Sequence, residues 1–472
     1  MLLQMLILLN YNRYSINYEV LTMEICAIVL AAGKGSRMKS KHHKGTHKVC
    51  GKEMINILID KLRASNVSDI NLVVGEHKEE IINVTKDRGV SYSTQEEQLG
   101  TGHAVLCSQE FLKDKKGSVL IFACDTPLFK KESIISLIKT HESEKNAITF
   151  VTSFFEDPLS YGRIIRKNGE VSLIREAKDC TPEELLIKEV NTSIYCIDID
   201  FLLNGLKKIN NSNAQNEFYL TDLIEIGNKE NVKIGTIQVE NKEVIGVDSR
   251  KQLYYANKLL REEILDFHMN NGVTILDCES TYIDVDVKIG MDTIIYPNVH
   301  ICGKSIIGEE CEILPNTKIV DTQIGNNTKI ESSVIYESKV GENTSVGPFA
   351  YLRPNSIIGD RVKVGDFVEI KNATIGNETK ISHLSYVGDA SVGENCNLGC
   401  GIVTVNYDGK KKHKTIIGDK SFVGCNVNLV APVVVGENSY IAAGTTVTEK
   451  VDSNSLAIGR CRQTNIKNWV KK

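Results

Sequence analysis

The chain has 472 residues, of which 42% are hydrophobic and 25% charged, and its formal net charge is −4. This length is enough for two or three domains, and the near balance of charge gives no reason to expect nucleic acid or an anionic membrane surface as a partner. The sequence contains no apolar stretch long enough to span a bilayer. Its 13 cysteines are scattered without metal-site spacing, so we expect reduced thiols in a cytoplasmic protein.

Residues 1–22 differ from the rest of the chain. They hold a short apolar run, MLLQMLILLN, with no preceding positive charge and no clear small-residue cleavage site, so the pattern of a secretory signal is missing. We expect a disordered extension or the product of an upstream start codon, with Met23 as the natural start. A membrane-tethering segment is the alternative.

Residues 23–249 alternate between short apolar runs and helix-like segments. The runs are rich in β-branched residues and end near Gly, Asp or Ser: ICAIVLAAG, INLVVG, SVLIFACD and AITFVTS. Helical patterns such as 54–64 and 131–141 lie between them. The alternation predicts an α/β domain with a mostly parallel, Rossmann-like sheet and helices on both faces, which binds ligands beyond the carboxyl ends of its strands.

A glycine-rich loop, LAAGKGSRM at 30–38, follows the first of these strands. Backbone N–H groups of such a loop can approach phosphate oxygens closely, and Lys34 and Arg37 add positive charge. The loop has neither the GxxxxGK[ST] of a P-loop nor the third glycine of GxGxxG. Taken alone, it fits either a phosphate site or a structural turn.

Residues 250–271 predict one amphipathic helix that links two domains. Its apolar face is formed by several residues at helical spacing, and Gly272 is placed to cap it. The residues of this face are Leu253, Ala256, Leu260, Ile264 and Phe267.

From about residue 289 to residue 447, an aliphatic residue recurs every six positions, as in Ile295, Ile301 and Ile307. This period is typical of a parallel β-helix, in which each short strand buries one aliphatic side chain before the chain turns. A glycine often follows the aliphatic residue, and we attribute it to tight corners. The period of six is interrupted between Leu398 and Ile417, which predicts that the segment GCGIVTVNYDGKKKHKT loops out. The β-helix domain is expected to span residues 272–472.

Several motifs resemble those of sugar-phosphate nucleotidyltransferases: LAAGKGSRM, QLGTGHA at 98–104, YGRI at 161–164, REAKD around Glu176 and NTSIY at 191–195. Together with the hexapeptide repeats, the chain resembles the bacterial family of bifunctional N-acetylglucosamine-1-phosphate uridyltransferases and glucosamine-1-phosphate acetyltransferases over about residues 24–465. The resemblance implies a left-handed β-helix and two reactions. Acetyl-CoA acetylates glucosamine-1-phosphate, and UTP then donates a uridyl group, with release of pyrophosphate, to give UDP-N-acetylglucosamine.

The resemblance also implies the residues of the uridyl site. Asp125 and Asp248 would hold Mg²⁺, which prefers hard oxygen ligands and bridges to substrate phosphates. Arg37 and Lys44 would neutralise charge on the phosphates. The nucleotide would lie near Leu30, Ala31, Gly33, Gln95, Gly100 and Thr101, and the sugar near Gly162, Glu176 and Asn191.

For the acetyl site, the resemblance implies that His383 removes a proton from the sugar amine, a task that suits an ordinary histidine pKa near 6.5. Asn406 would steady the developing oxyanion. The sugar phosphate would be held by Arg353 and Lys371, and Tyr386 and Asn397 would also bind the sugar substrate. Acetyl-CoA would contact Cys400, Asn406, Tyr407, Cys425, Ala443 and Arg460. The resemblance further implies a homotrimer, with the acetyl site between chains.

Five positions depart from the family pattern in the uridyl half. His43, Gly45 and Thr46 stand where Pro, Val and Leu are usual, Cys124 replaces a Gly, and Asp248 replaces an Asn. These changes leave open an acetyltransferase with an impaired nucleotidyl half. A non-catalytic regulatory subunit is a further alternative.

Overall fold

The computed structural model describes residues 24–467 and 469–470, so the prediction for residues 1–22 lies outside the described residues. Two compact units are present, one of residues 24–49 and 53–256 and the other of residues 50–52 and 257–470. Within the described part of the chain, no helix is both long and apolar enough to cross a membrane. All 13 cysteines are free thiols.

Between residues 24 and 249, the structure shows eleven strands. They are β1 (Ile25–Ala31), β2 (Lys48–Val49), β3 (Lys52–Glu53), β4 (Asp69–Val74), β5 (Ser91–Thr94), β6 (Ser118–Ala123), β7 (Ile148–Phe154), β8 (Arg163–Lys167), β9 (Glu170–Arg175), β10 (Glu189–Asp198) and β11 (Ile234–Gln238). Strands β2 and β3 pair with each other, and the main sheet has the order β11-β7-β10-β6-β1-β4-β5, with β8 joining β10 and β9.

The four strands predicted from apolar runs are confirmed as β1, β4, β6 and β7. Strand β1 pairs in parallel with β4 and β6, so Ala31, Val74 and Ala123 end at one edge of the sheet. Strand β10 runs antiparallel to β6 and β7, a reversal that the alternation of elements does not predict. The parallel centre places the loops after β1 and β6 side by side.

Helices cover both faces of this sheet, as predicted. Their bounds are Met54–Ala64, Lys78–Thr85, Thr101–Leu106, Gln109–Leu112, Lys131–Glu144, Ile199–Leu206 and Asp222–Lys229, and a further helix, Arg250–Asn270, follows the last strand of the sheet along the chain. Successive residues of β1 alternate between two cores: Ile28 packs in one with Leu202, and Val29 packs in the other with Leu58. Burial on both faces explains why β1 reads as a continuous apolar run.

The helix Arg250–Asn270 follows its predicted pattern with one exception. Ala256, Leu260 and Ile264 are buried, whereas Phe267 is 49% exposed, so its predicted place on the buried face is wrong. Leu265 is buried instead. Gly272 takes a φ of +89° just beyond the helix, the conformation expected of a glycine cap.

The second unit is a left-handed parallel β-helix with three faces. The first face holds Thr274–Ile275, Ile294–Ile295, Glu312–Ile313, Lys329–Ile330, Ser345–Val346, Lys363–Asp366, Lys380–His383, Asn397–Leu398, Phe422–Val423, Tyr440–Ile441 and Leu456–Ala457. The second holds Tyr282–Ile283, His300–Cys302, Lys318–Val320, Val334–Tyr336, Tyr351–Leu352, Glu369–Lys371, Tyr386–Gly388, Val403–Val405, Asn428–Val430 and Thr446–Val447. The third holds Lys288–Ile289, Ile306–Ile307, Gln323–Ile324, Lys339–Val340, Ile357–Ile358, Thr374–Ile375, Ala390–Val392, Thr415–Ile417 and Val433–Val435.

The hexad residues fill the interior of this β-helix. Ile295, Ile301 and Ile307 are at most 2% exposed, and each pairs in parallel with an aliphatic residue of the next coil. The glycines serve a different purpose from the one predicted. Gly308 has no positive φ, but a Cβ on it would lie 2.7 Å from the backbone nitrogen of Asn326 in the next coil. Close approach of coils therefore requires this glycine.

The predicted loop between Leu398 and Ile417 leaves the β-helix only in part. Val403–Val405 stays on the second face, and Ile402 and Thr404 are buried. The chain then departs at 406–414, where Tyr407 and Lys412 form an antiparallel bridge.

Candidate active sites

The glycine-rich loop lies at the carboxyl end of the central strand β1. Gly33 is exposed, and the preceding residue, Ala32, is fixed by a hydrogen bond from Gln98 Nε2 to its carbonyl oxygen, 2.7 Å long. The Leu30 carbonyl accepts from Cys124 N at 3.1 Å. The loop after β1 and the end of β6 are thereby joined at the edge where parallel sheets bind ligands.

Two carboxylates and two cations meet at this edge. Lys44 Nζ contacts Asp125 Oδ2 and lies 3.1 Å from Asp248 Oδ1, while Arg37 Nη2 lies 2.9 Å from Asp248 Oδ2. Asp125 directly follows Cys124 at the end of β6 and is buried. Burial alone would lower the pKa of Lys44, but the carboxylate of Asp125, with help from Asp248, outweighs it and raises the pKa of Lys44. The ammonium therefore stays charged.

Gln95, Gly100 and Thr101 lie together beside the loop. Gln95 Nε2 donates to the Gly100 carbonyl at 3.1 Å, and Thr101 Oγ1 accepts from Leu220 N at 3.1 Å. Gly100 has a φ of +108°, and a Cβ there would lie 2.6 Å from the carbonyl oxygen of Phe218. Only glycine fits this position.

The three predicted sugar residues also converge. Asn191 N donates to the Gly162 carbonyl at 2.9 Å, and a Cβ on Gly162 would lie 3.5 Å from Glu176 Oε2. Burial raises the pKa of Glu176, although a 3.2 Å hydrogen bond from Thr221 Oγ1 opposes the shift. Asn191 Nδ2 donates to the hydroxyl of Tyr195 at 2.7 Å.

Three of the five residues that depart from the family pattern, His43, Gly45 and Cys124, pack against one another beside Lys44. Cys124 is fully buried, and a Cβ built on Gly45 would lie 3.2 Å from Cys124 Sγ and 3.2 Å from His43 Nδ1. His43 is itself buried, and burial lowers its pKa to about 4. The thiol and the imidazole thus occupy the space that a side chain at position 45 would need.

We expect Gly45→Val to lower the free energy of unfolding of the first unit by about 1–3 kcal/mol, because its Cβ overpacks this space. Cys124→Gly removes one of the two neighbours of the new side chain. The double variant should therefore be more stable, by at least about 0.5 kcal/mol, than the sum of the two single effects on the free energy of unfolding predicts. Denaturant unfolding of the four proteins in the cycle measures this coupling. The matched combination of Gly45→Val with Cys26→Ala, a buried cysteine near the amino end of β1, should be additive. Additive behaviour of the Cys124 pair would contradict the packing.

In the β-helix, His383 is paired with a carboxylate. His383 Nδ1 lies 2.5 Å from Asp366 Oδ1, and the two residues are register partners on the first face. The hydrogen bond from His383 lowers the pKa of Asp366, which therefore remains a carboxylate at neutral pH. This partner leaves Nε2 as the atom available to a substrate amine. The motif around His383 does not single out Asp366, but the coil repeat does, because Asp366 precedes His383 by 17 residues, one coil.

The predicted base and most predicted acetyl-CoA contacts share one corner of the β-helix. Gly401 N donates to the His383 carbonyl at 3.4 Å, Asn426 N to the Cys400 carbonyl at 2.7 Å and Gly444 N to the Cys425 carbonyl at 2.8 Å. The Arg460 guanidinium donates to the Ala443 carbonyl. The resulting corner column consists of Asp366, His383, Cys400, Cys425, Ala443 and Arg460.

The residues predicted to hold the sugar phosphate, Arg353 and Lys371, lie at the end of the second face that is away from the corner column. Lys371 pairs in register with Gly388 of the next coil. Arg353 lies one coil before Lys371, and its backbone N–H donates to the Ile370 carbonyl at 2.8 Å. Arg353 Nη1 is 2.9 Å from Glu369 Oε1. The Lys371 ammonium lowers the pKa of Lys412 from the loop, since two like charges lie side by side. Such a pair suits a dianion.

Asn406 and Tyr386 belong to this second group. Asn406 Nδ2 donates to Asp389 Oδ2 at 2.5 Å and lies 3.4 Å from the Tyr386 hydroxyl. The nitrogen predicted to steady an oxyanion is therefore already engaged by Asp389. Tyr407 is exposed at the start of the loop, and Asn397 lies on the first face, in register with Phe422.

Family models match both units. The MobA-like NTP transferase domain matches residues 27–179, the GMPPB C-terminal domain matches residues 335–407, and the bacterial transferase hexapeptide model matches 286–320 and 414–449. The Bifunctional protein GlmU of Clostridium botulinum (strain ATCC 19397 / Type A) is 56% identical over 95% of this chain and 98% of its own length. Those of Clostridium beijerinckii and Clostridium kluyveri (strain NBRC 12016) are 55% and 53% identical over the same shares.

The chain belongs to the GlmU family of bifunctional proteins. It is accordingly an enzyme with a uridyltransferase half and an acetyltransferase half, as the sequence resemblance implies. Because the chain belongs to this family of enzymes, the alternative of a non-catalytic regulatory subunit is set aside.

Proposed function

We propose that the first unit transfers the uridyl group of UTP to N-acetylglucosamine-1-phosphate through the cluster of Arg37, Lys44, Asp125 and Asp248. The observation that carries this proposal is the convergence of both carboxylates on one ammonium at the carboxyl end of β1 and β6. The sugar-phosphate oxygen attacks the α-phosphorus of UTP in line, and pyrophosphate leaves. No protein nucleophile is required, because positioning and charge neutralisation suffice.

Asp125 and Asp248 fit a magnesium ion. Both carboxylates contact the Lys44 ammonium and so lie close to each other, and carboxylate oxygen is the ligand that Mg²⁺ prefers. Among the described residues no cluster of three or more His, Cys, Asp or Glu side chains is placed to hold a metal, so substrate phosphates and waters would supply the remaining ligands. When bound, the ion would neutralise charge that develops on the phosphates. Arg37 and Lys44 add positive charge from the protein, and the glycine-rich loop offers its N–H groups.

We also propose that the second unit acetylates glucosamine-1-phosphate, with His383 Nε2 as the base that takes the amine proton. Asp366 holds the opposite ring nitrogen, which orients the ring and stabilises the imidazolium that forms. The amine then attacks the acetyl thioester directly, the coenzyme A thiolate leaves, and the corner column would line the coenzyme. Arg353 and Lys371 hold the phosphate of the sugar.

A homotrimer is part of this proposal. His383 lies at the corner where the first face meets the second, and the phosphate-binding residues around Lys371 lie at the far end of the second face. Copies packed side by side would therefore complete one another's sites. Phe349 and Phe367 stack with ring centroids 5.3 Å apart although they are 59% and 56% exposed, and exposed Leu384 follows His383 directly. These apolar side chains flank the base and suit burial against a second copy. Sedimentation equilibrium should give a molecular mass three times the 52.4 kDa of one chain. We further propose that the protein acts in the cytoplasm.

One incubation tests both halves of the proposed function. Purified protein receives glucosamine-1-phosphate, acetyl-CoA, UTP and Mg²⁺, and the products are read by mass. We expect UDP-N-acetylglucosamine, and with EDTA in place of Mg²⁺ we expect N-acetylglucosamine-1-phosphate to accumulate instead. Accumulation of that intermediate with Mg²⁺ present would mean an impaired uridyl half, and absence of any acetylated product would contradict the role of His383.

A further inference from the structure

The turn that carries Lys44 is closed by the side chain of the preceding residue. His43 Nδ1 accepts a hydrogen bond from Gly45 N at 3.0 Å, and the His43 carbonyl accepts from Thr46 N at 3.1 Å. This is the geometry of a helix N-cap, in which a side chain satisfies the N–H of the second residue of the turn. Lys44 is the residue enclosed between the cap and the capped N–H, so the cap fixes its backbone.

The residue that caps this turn is buried and held by its neighbours. His43 is 2% exposed, and its backbone N–H donates to Glu80 Oε2 at 2.9 Å, on the helix Lys78–Thr85. A Cβ on Gly45 would lie 3.2 Å from His43 Nδ1 and 3.2 Å from Cys124 Sγ. The absence of a side chain at position 45 thus lets the imidazole and the thiol close over the turn. The residue after this thiol is Asp125, the partner of the Lys44 ammonium.

We propose that His43 is a positioning residue for uridyl transfer, whose ring nitrogen holds the turn that presents Lys44 to Asp125 and Asp248. The proposal rests on the role given above to Lys44 in phosphate binding. A lysine side chain has a flexible four-carbon stem and loses much conformational entropy when it is fixed. Its ammonium is therefore held between two carboxylates only if the backbone of the lysine is already fixed. His43 Nδ1 is engaged by Gly45 and Nε2 is buried as well, so His43 would act through the turn rather than on the substrate.

Two substitutions separate hydrogen bonding from packing. His43→Asn keeps an acceptor at the place of Nδ1, since an Asn side chain readily accepts from the N–H two residues on. His43→Gln keeps a polar side chain of similar size but moves its oxygen away from that place. We expect His43→Asn to retain uridyl-transfer kcat within about threefold, and His43→Gln to lose about 10- to 100-fold, because small misplacements of a positioned charge have effects of that size. Acetyl transfer by the same preparations reports that the chain is intact.

A second readout follows Lys44 without any turnover. Acetic anhydride labels free amines, and peptide mass spectrometry gives the rate at each lysine. The Lys44 side chain is 17% exposed and pairs with a buried carboxylate, whereas the Lys34 side chain is 66% exposed, in a 3.5 Å pair with Glu76, and serves as the internal reference. We expect the Lys44-to-Lys34 labelling ratio to stay low in the wild type and in His43→Asn, and to rise at least tenfold in His43→Gln. In the wild type, the buried Gly45 amide should also exchange its hydrogen slowly.

Wild-type kcat and wild-type Lys44 protection in His43→Gln would overturn the proposal, and so would equal losses in both variants at unchanged melting temperature. Rapid hydrogen exchange at Gly45 in the wild type would overturn it even if His43→Gln does not fold. A wild-type protein without uridyl transfer would refute the function proposed for the first unit, while the labelling ratio would still decide whether His43 positions Lys44.

Discussion

His383→Ala is expected to abolish acetyl transfer and to leave uridyl transfer unchanged. Removing a general base lowers the rate by about 10²- to 10⁴-fold, because the proton of the sugar amine then loses its positioned acceptor. Release of the coenzyme A thiol measures the first reaction. Formation of UDP-N-acetylglucosamine from added N-acetylglucosamine-1-phosphate measures the second in the same preparation.

Two further variants sharpen this prediction. Asp366→Asn keeps the shape of the partner but removes the charge that orients the His383 ring 2.5 Å away, so we expect acetyl-transfer kcat to fall at least about tenfold with little change in KM for acetyl-CoA. His300→Ala is the matched control, because His300 also lies outward on the β-helix but stacks on Tyr282, 4.8 Å between ring centroids. An acetyltransferase that tolerates His383→Ala as well as it tolerates His300→Ala would remove His383 from the reaction.

The periodicity of the sequence is sufficient to predict the β-helix, because every hexad residue has the same task. Ile295, Ile301 and Ile307 each fill one layer of the interior, so a period of six is visible without any knowledge of contacts. The role of the glycines was harder to predict, because it depends on neighbours one coil away. Gly308 is required by the backbone of Asn326, which stands 18 positions later.

The antiparallel strand β10 and the partners of His383 show the limit of local patterns. Strand β10 contains several β-branched residues, as do β6 and β7, which run antiparallel to it, and composition does not record strand direction. Asp366 and Asp389 are single acidic residues among many. They matter because the coil repeat places them against His383 and Asn406. The motifs in the sequence indicate which residues carry the chemistry, whereas their supporting carboxylates require the fold.

Asp125→Asn is expected to lower uridyl transfer by about 10²- to 10³-fold, the usual effect of removing one preorganised charge from a site where charge develops. The substitution also leaves the largely buried Lys44 ammonium with Asp248 as its remaining carboxylate contact, so the cation would be less well held. Uridyl transfer at saturating Mg²⁺ measures the effect, and acetyl transfer should remain at the wild-type rate.

Asp248→Asn is the matched control, since it removes the same charge from the other side of Lys44. The family usually carries Asn at this position, and an amide oxygen can still face a magnesium ion. We therefore expect uridyl transfer to stay within about threefold of the wild type, even though Arg37 loses a partner 2.9 Å away. Equal losses in Asp125→Asn and Asp248→Asn would mean that this chain uses its extra carboxylate as a true second ligand. Equal retention would contradict the role of the Asp125 carboxylate in holding the metal.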